Sequence, residues 1–593
     1  MNELTQFSNV CLCITSRISI IPPCCETLEI PTLSTEAAHN TFYRIYKHGE
    51  RSDPVNDILE HLDFHPLSVT LLASVGQYNK WDTDRLVMEW ESRRTGVLNA
   101  QHSGSLATTI ELSLASPMFR ELGPDARSLL EVVAFFPQGV SEKNTKWFFP
   151  TIPDAQNILD GFSILSLTFQ NNGFITMLAP LRDHLRPEDP ASSTLLRITK
   201  ECYFVRLTGD IEPGQPGFED ARWIASEDIN VEYLLEVFTA TDADSEGIWD
   251  ICAKFIAQLY WHKPRLVTLG PKIEALPDGH PSKAQCLFEL SGLFDSVGNV
   301  VECKRLLTYS LNLRREQGRD FQVAQTLRNL SVANRGMGLC EEGIRQVKEA
   351  SEIFERSSEV VEQADCLIGL AFLLNDDGQL GAAEEAASRA IELLLEKGQE
   401  FNVCQGHRIL GDIYQSKGEA RKAIHHLEAA LAIASSLSAV GQLFWVNRSL
   451  ALVFTREGRF DDAQIHAERA RSYAVDNTYL LARVSLLQAQ LWHAQSMFGE
   501  AKFEGLLALD VFEELGAVSD ADFTRKLLWE INVRETGEPE ARVGRNGELL
   551  EKTGPACINT SCSDGTTRFE RWHRGVARLL RTKPPSQPTI APR

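Results

Sequence analysis

Five glycines recur along the second half of the chain at a constant interval. They are Gly298, Gly338, Gly378, Gly418 and Gly458, and each lies 40 residues after the previous one (338 − 298 = 40, and so on). A fixed period of this length is the sequence signature of a repeat protein. Each glycine separates two stretches with apolar residues at helical spacing, so the repeat unit is predicted to be a pair of helices joined at the glycine.

The residues around each glycine follow the same order of small and apolar side chains. In one of the clearest copies, small residues stand at Gly411, Ala423 and Ala430, and large ones at Tyr414 and Leu427. The small residues allow two antiparallel helices to approach closely, while the large ones fill the space beside them. One apolar face of each pair is left for the next pair to cover, which predicts a solenoid.

This pattern resembles the tetratricopeptide repeat (TPR) family, whose unit has about 34 residues. A sixth, weaker copy has Ser496 at the turn, so about six repeats are predicted over residues 276–518. The longer period predicts that the second helix, or the loop after it, is extended. An array of HEAT-type hairpins is the alternative. A coiled coil is excluded because a glycine interrupts the pattern at every turn.

The net charge limits the kinds of partner. Lys and Arg total 59 and Asp and Glu total 81, which gives −22, and the pI is near 5.2. Such a surface repels phosphate backbones, so no nucleic acid and no anionic membrane is expected as a general partner.

The distribution of cysteines and apolar residues predicts a cytoplasmic protein. The 13 cysteines do not form an evenly spaced framework, which is typical of buried thiols in a reducing compartment. Cys11, Cys13, Cys24 and Cys25 lack the spacing that zinc sites prefer, so no metal is expected. The sequence has neither a signal peptide nor a stretch of about 20 apolar residues that would predict a transmembrane segment.

The region before the repeats contains several ordered signals. SNVCLCITSRIS, from Ser8, is typical of a buried strand that ends in polar residues. HLDFHPLSVTLLA places Pro66 at the start of an apolar helix, and a helix and two short β-type runs joined at 171–173 follow, as in a winged helix. In this order the segments resemble the NB-ARC class of STAND NTPases, the NLR-like proteins that are common in fungi.

The resemblance implies roles for two residues and also shows departures. Arg17 matches the sensor arginine that meets the terminal phosphate, and Pro66 matches the GLPL proline beside the adenine. Met177–Asp183 stands at the place of the MHD motif but lacks its histidine. No G-x-x-x-x-G-K-[ST] occurs in the sequence, and the resemblance implies that this loop and the magnesium-binding strand would precede residue 1. We therefore expect no cofactor, with ADP or ATP binding only if a complete NB-ARC module is present.

The predicted fold class is mainly α, a remnant of an NB-ARC module and a winged-helix domain followed by a TPR-type solenoid. The predicted domains are 1–104 (NB-ARC-like), 105–190 (winged-helix-like), 191–275 (helical connector), 276–518 (solenoid) and 519–593 (a terminal helix and a disordered tail). Within the tail, Arg568–Arg581 is basic and amphipathic. We expect a solvated helix there, and a helix that binds a partner or a membrane surface is the alternative.

No catalytic constellation stands out, so an enzyme is not predicted. There is no G-x-S-x-G motif. His61 and His65 are expected on one helix face, but HLDFH lacks the glutamate of a zinc-protease helix, so they are interpreted as a structural or surface pair. His425 and His426 fall in a repeat helix, where one should be solvated and the other packed.

The inner face of the repeats is the predicted partner-binding site. In TPR arrays the first helix of each pair lines the inner groove, and positions three or four apart face the ligand. Arginine suits carboxylates and phosphates, and tryptophan is a typical anchor, so an acidic peptide or protein ligand is expected. The alternative is that the arginines only pair with acids such as Asp365 and Asp412. The predicted set is Gln325, Arg328, Arg335, Gln405, Arg408, Trp445, Arg448 and Arg483.

These features favour the ligand-sensing, protein-binding portion of an NLR-like signalling protein. The alternative is a free-standing TPR scaffold without nucleotide switching, and a more remote one is an NTPase whose phosphate loop lies outside this sequence. The Lys and Asn pairs of the chaperone-binding carboxylate clamp are missing, so a co-chaperone is not favoured. The oligomeric state stays open.

Overall fold

The structure is a computed structural model. It describes residues 33–49, 52–62, 64–94, 104–187, 189–208, 220–241, 246–474, 477–536, 542–543 and 549–550. The predicted strand from Ser8 with Arg17, the cysteines at 11, 13, 24 and 25, and the segment Arg568–Arg581 lie outside the described residues.

One compact unit takes in residues 26–209 and 223–251. Phe42, Leu72 and Trp90 belong to its first apolar core, formed by the earliest helices. Short 3-10 segments lie at Glu142–Trp147, Pro190–Ser192 and Asp220–Trp223. The helices are α1 (Thr35–Ile45), α2 (Asp53–His61), α3 (Pro66–Tyr78), α4 (Thr83–Arg94), α5 (Gly104–Leu114), α6 (Pro117–Glu121), α7 (Ala126–Phe135), α8 (Ala155–Ile164), α9 (Ala179–Leu185), α10 (Thr194–Leu207) and α11 (Ile224–Thr241).

A small antiparallel sheet follows α7 in this unit. Its strands are β1 (Val140–Ser141), β2 (Phe169–Asn171) and β3 (Phe174–Thr176), in the order β1-β3-β2. Asn172 (φ 49°) and Gly173 (φ 80°) form the turn between β2 and β3. Two residues with positive φ match the right-handed twist of a hairpin, which is why an Asn-Gly pair stands there. The hairpin predicted at this place is present, directly after α8.

Helices α10 and α11 are joined to the sheet region by a buried polar cluster. Glu227 accepts hydrogen bonds from the Tyr203 hydroxyl at 2.6 Å and from Asn144 Nδ2 at 2.7 Å. Burial raises the pKa of Glu227, and its hydrogen bonds oppose that rise. Both helices therefore pack within the first unit, although the sequence placed them in a separate connector.

A second unit contains the chain from Cys252 onward. It begins within α12 (Glu246–His262), and α13 (Gly270–Ala275) follows. Six consecutive helix pairs come next, and one further helix packs on the last of them. They are α14 (Lys283–Ser296) with α15 (Val300–Glu316), α16 (Asp320–Gly336) with α17 (Cys340–Arg356), α18 (Val360–Asp376) with α19 (Leu380–Glu396), α20 (Glu400–Ser416) with α21 (Ala420–Ser436), α22 (Val440–Arg456) with α23 (Phe460–Tyr473), α24 (Thr478–Ala494) with α25 (Phe498–Leu515), and finally α26 (Val518–Thr536); strands β4 (Arg542–Val543) and β5 (Leu549–Leu550) lie beyond it.

A residue with positive φ ends almost every helix of the solenoid. In the fourth pair, Gly418 has φ 77°, and the Glu419 amide reaches back to the Tyr414 carbonyl at 2.8 Å. This bond satisfies a carbonyl at the end of α20 that would otherwise lack a partner. The links between successive pairs use the same geometry, at Gly318, Ser358, Gly398 and Ser438. The step of the backbone is therefore 20 residues, since 338 − 318 = 20, which is half the period of the glycines seen in the sequence.

The lengths of the helices correct one expectation. Eight consecutive helices, α15 to α22, have 17 residues each. The longer period is therefore shared equally by both helices of a pair, and the prediction that the second helix or its loop is extended was wrong. Close packing at Gly411 is as predicted, because a Cβ added there would lie 2.5 Å from Leu427 Cγ.

The first and sixth pairs of the solenoid touch each other. Asn477 Nδ2 donates to the Ser296 carbonyl at 3.0 Å. The Tyr479 ring packs on Gly298, where an added Cβ would lie 2.4 Å from the ring. Gly516, which follows α25, lies near Val301 of α15, and an added Cβ there would be 3.4 Å from the valine side chain. The inner surface is therefore closed along this side.

Two partly buried polar pairs repeat from the fourth helix pair to the fifth. His407 Nδ1 lies 3.0 Å from His426 Nδ1, and 40 residues later Asn447 Oδ1 lies 2.9 Å from His466 Nδ1. His426 packs on the Tyr414 ring whereas His425 is exposed, as predicted. Burial lowers the pKa of His407 and of His426, and the neighbouring imidazoles lower both further.

Replacing Gly418 by alanine should destabilise the solenoid by about 1 to 2 kcal/mol, because a residue with a Cβ is strained at positive φ. Gly298→Ala should cost more, since its Cβ would also displace Tyr479. Gly381→Ala, at a helical position of α19 with open space around it, is the control and should be neutral or stabilising. Chemical unfolding midpoints measure all three. Equal losses at 298 and 418 would show that contact between the first and sixth pairs adds no stability.

The paired imidazoles should make stability depend on pH. Their folded pKa values lie below the unfolded value of about 6.5, so the unfolded chain takes up protons first and stability falls as the pH drops below that value. His407→Asn reproduces the Asn447 pairing and should make this dependence shallower. Unfolding midpoints at neutral and mildly acidic pH test this. An unchanged slope would contradict it.

Candidate partner-binding surface

The predicted partner-binding residues all lie on first helices of the solenoid. Gln325, Gln405 and Trp445 occupy one register (325 + 80 = 405, 405 + 40 = 445), and all three are half-buried. A second register, three residues later, holds the arginines 328, 408 and 448. Because the repeat step is constant, equal register places these side chains on one face of successive helices.

Two aromatic rings contact the arginines of this surface. The guanidinium carbons of Arg408 and Arg448 each lie 5.9 Å from the centre of the Trp445 ring, and that of Arg483 lies at 5.0 Å. The Phe372 ring, one repeat earlier, lies 4.7 Å from Arg408. Three arginines from three successive first helices thus meet around one indole. Each contact has the geometry of a cation–π interaction.

Four of the five arginines are paired with acids. Arg328 binds Asp365 at 3.0 Å, which in turn accepts from Asn402. This is the pairing that the sequence left open as an alternative. The others follow the same rule: Arg335 binds Asp376 at 2.5 Å, Arg408 binds Asp412 at 3.4 Å, and Arg483 binds Asp520 at 2.9 Å.

Arg448 is the exception. Within the described residues its guanidinium makes no ion pair and no hydrogen bond, and its Nε is buried without a partner. Burial lowers the pKa of Arg448 to about 10, and the positive charge of Arg483 contributes to the shift. Asp412 and Asp520 stabilise its charge only from beyond ion-pair distance, so a half-buried guanidinium is left without a directly bonded acid beside Trp445.

The other charges on this surface are tuned by their neighbours. Burial lowers the pKa of Arg408. Burial opposes the charge of Arg483 too, but Asp520 and the Tyr479 hydroxyl outweigh it and raise the pKa. Burial raises the pKa of Asp295, on α14, to about 6, against the pull of Arg483 and Arg335. Asp295 belongs to the first helix pair and Arg483 to the sixth, the two pairs that are in contact through Ser296 and Asn477.

The end of α12 lies against the repeats, which the sequence did not reveal. The Trp261 ring meets the Phe401 ring of α20 edge-on at 5.7 Å. The neighbouring Tyr260 ring packs on Gly292 of α14, where an added Cβ would lie 3.5 Å from the ring. The two adjacent aromatic residues at the end of this apolar helix were the available signal in the sequence. Their partners could not be read from it, because Gly292 and Phe401 lie more than a hundred positions apart from each other.

The nucleotide remnant is not assembled by the described residues. Pro66 is the exposed first residue of α3, as predicted, and Arg17 lies outside the described range. His61 ends α2, whereas His65 caps α3 by accepting from the Ser68 amide at 3.4 Å. The expectation that both histidines share one helix face was therefore wrong, because the chain turns between them.

Among the helices in the described part of the chain, none is long and apolar enough to cross a membrane. The same residues contain no group of three His, Cys, Asp or Glu side chains that would hold a metal ion.

No protein-family model and no curated protein matches the chain. Solved structures that align with it include a STAND protein with a TPR sensor from Pyrococcus horikoshii (13% identity, 86% of this chain, 70% of that chain, TM-score 0.43). Others are a Rap protein complexed with competence and sporulation factor (13%, 56% and 98%, 0.37) and aspartyl phosphate phosphatase F from Bacillus subtilis (12%, 55% and 96%, 0.33). At these values the alignments do not assign a function.

The fold itself defines the class of protein. Six packed helix pairs with a constant step form a TPR-type α-solenoid. The chain is mainly α, with this solenoid following a smaller helical unit that contains the three-stranded sheet.

Removing the carboxylate of Asp520 should destabilise the solenoid, because Arg483 and the Tyr479 hydroxyl both use it, each at 2.9 Å. The pair is mostly buried, with 19% and 15% of the two side chains exposed, so Asp520→Asn should cost about 2 kcal/mol, between exposed and fully buried pairs. Glu274→Gln breaks the more exposed pair with Arg305 and should cost under about 1 kcal/mol. Chemical unfolding compares them, and equal losses would contradict the stabilising role of the Asp520 network.

Proposed function

We propose that this protein is a protein-interaction scaffold whose solenoid holds a partner peptide on the inner surface of the first helices. The observation that carries the proposal is Arg448, a cation in contact with Trp445 that makes no hydrogen bond and no ion pair within the described residues. A buried charge without a partner is costly to the folded protein. A ligand that supplies the missing anion would remove that cost.

The composition of the surface supports an acidic ligand. Arg408 and Arg448 lie on adjacent first helices at the same register, so both guanidinium groups can reach one extended chain. Trp445 lies between them and offers a flat apolar face. Tryptophan and arginine are the residues most enriched at binding hot spots. A protein or peptide segment with carboxylates is the partner that fits this combination.

More specifically, we propose that the solenoid is the sensor of an NLR-like signalling protein. The order of a helical unit, a hairpin-containing sheet and a repeat array supports it. The free-standing scaffold without nucleotide switching is the alternative. We propose that the scaffold works without a cofactor, ADP or ATP entering only with a complete NB-ARC module.

A reducing compartment such as the cytoplasm suits this proposal. Cys286, Cys366 and Cys404 are buried free thiols within the repeats. Burial raises the pKa of Cys404 to about 11, which keeps the thiol protonated and unreactive.

Peptides selected against the full chain should lose affinity when the inner surface is altered. Trp445→Ala or Arg408→Ala should weaken binding roughly tenfold to a hundredfold, as expected for loss of an anchor or of a charge-assisted contact. Arg389→Ala is the matched control, because Arg389 is 60% exposed on the second helix α19, and it should leave binding unchanged. Titration calorimetry measures the three variants. Selected peptides that bind all variants equally would place the partner elsewhere and reject the proposal.

A further inference from the structure

The contact between the first and sixth helix pairs closes one side of the inner surface. Asn477 contributes its bond to Ser296, and Tyr479 its packing on Gly298. Trp261 packs on Phe401 of α20. A folded protein cannot enter from the closed side without opening the contact. A small molecule or the end of a peptide chain needs less space and fits this surface better.

One guanidinium on this surface makes no hydrogen bond and no ion pair within the described residues. Arg328, Arg335, Arg408 and Arg483 each have an aspartate. Arg448 has none within the described residues, although it lies at the centre of the set, against Trp445. A planar guanidinium offers parallel N–H groups whose spacing matches the two oxygens of a carboxylate.

The surroundings favour a group with a single negative charge. Asp412 lies 3.4 Å from Arg408 and accepts from the Ser449 hydroxyl at 2.7 Å, and Ser449 directly follows Arg448. Asp520 holds Arg483 on the next helix. Asp295, opposite, adds a third carboxyl near Arg483 and Arg335. These acids would repel a phosphate dianion more strongly than a carboxylate, since the repulsion grows with ligand charge.

We propose that Arg448 and Trp445 form a site for one carboxylate with an adjoining apolar group, carried by a small acid or by a peptide end that reaches the inner surface. The guanidinium binds the carboxylate through two hydrogen bonds, and the indole packs on the apolar part. The proposal deepens the proposed function and rests on it for the peptide source only. A small free acid would occupy the same site without any peptide.

The test uses the full chain and three probes: benzoate, benzamide and phenylphosphonate. Benzoate should bind, benzamide should not, and phenylphosphonate should bind more weakly than benzoate. Arg448→Met, which keeps the length of the side chain but not its charge, should weaken benzoate about tenfold to a hundredfold. Arg469→Ala, an exposed arginine on the second helix α23, should change nothing. Binding is measured by calorimetry and by NMR line broadening of the probe.

Folding of the variants is controlled within the same set. Removing an unpaired, half-buried charge should leave the unfolding midpoint unchanged or raise it. Arg448→Lys keeps the charge without the planar fork and should retain only part of the benzoate affinity. Benzoate binding that is equal in the wild type, Arg448→Met and Arg448→Lys would overturn the proposal, and so would equal binding of benzamide.

The two sources of the carboxylate are separated with a selected peptide. Its C-terminal acid and its acidic side chains are changed to amides in turn, and the change that abolishes sensitivity to Arg448→Met identifies the group that is bound. A peptide that binds tightly but ignores Arg448 and all of its own carboxylates would reject this site and leave the proposed function intact. If benzoate binds at Arg448 but no peptide can be selected, the proposed function is rejected and the carboxylate site stands.

Discussion

The solenoid depends on one backbone requirement, a residue with positive φ at nearly every helix end. Each such residue reverses the chain within three residues, so two helices of equal length pack side by side. Glycine meets the requirement at Gly318, Gly338, Gly378 and Gly398, and serine meets it at Ser358. Because the links between successive helices from α14 to α23 all contain three residues, neighbouring pairs there are related by nearly the same rotation. The constant rotation brings the arginines of equal register onto one surface.

The same regularity explains why the solenoid closes on itself. Six pairs with a constant rotation bring α24 back to the first turn, where Tyr479 fits because Gly298 has no side chain. The fifth pair departs from the pattern just before this point, since α23 has 14 residues instead of 17. Asn477, which stands between α23 and α24, caps α24 and bonds to the first pair. The shortened helix α23 therefore lies next to the residue that makes the long-range contact.

The sequence predicted the repeats well because their causes are local. The turn glycines, the small residues at the helix contacts and the Asn-Gly hairpin each act over a few positions. The serines with positive φ were missed at 358 and 438, since serine carries no such signal by itself. Pairing of the arginines was left open because three of the four pairs join residues 37 to 41 positions apart, as in Arg328 with Asp365 and Arg335 with Asp376. The closure, which joins residues 181 positions apart, could not be read from any local pattern.

Arg448 illustrates how a repeat can carry a specific feature. At its register the second pair has Arg328 and the fourth has Arg408, each with an aspartate of its own. The Asp412 of the fourth pair corresponds to Leu452 in the fifth, so the repeat that holds Arg448 lacks the acid that would pair with it. The lack of an acid at this position does not interrupt the packing of the repeats, because buried alanines and leucines fill the space between the helices. A single position can therefore give up its ion pair and become available to a ligand while the surrounding repeats keep the surface in place.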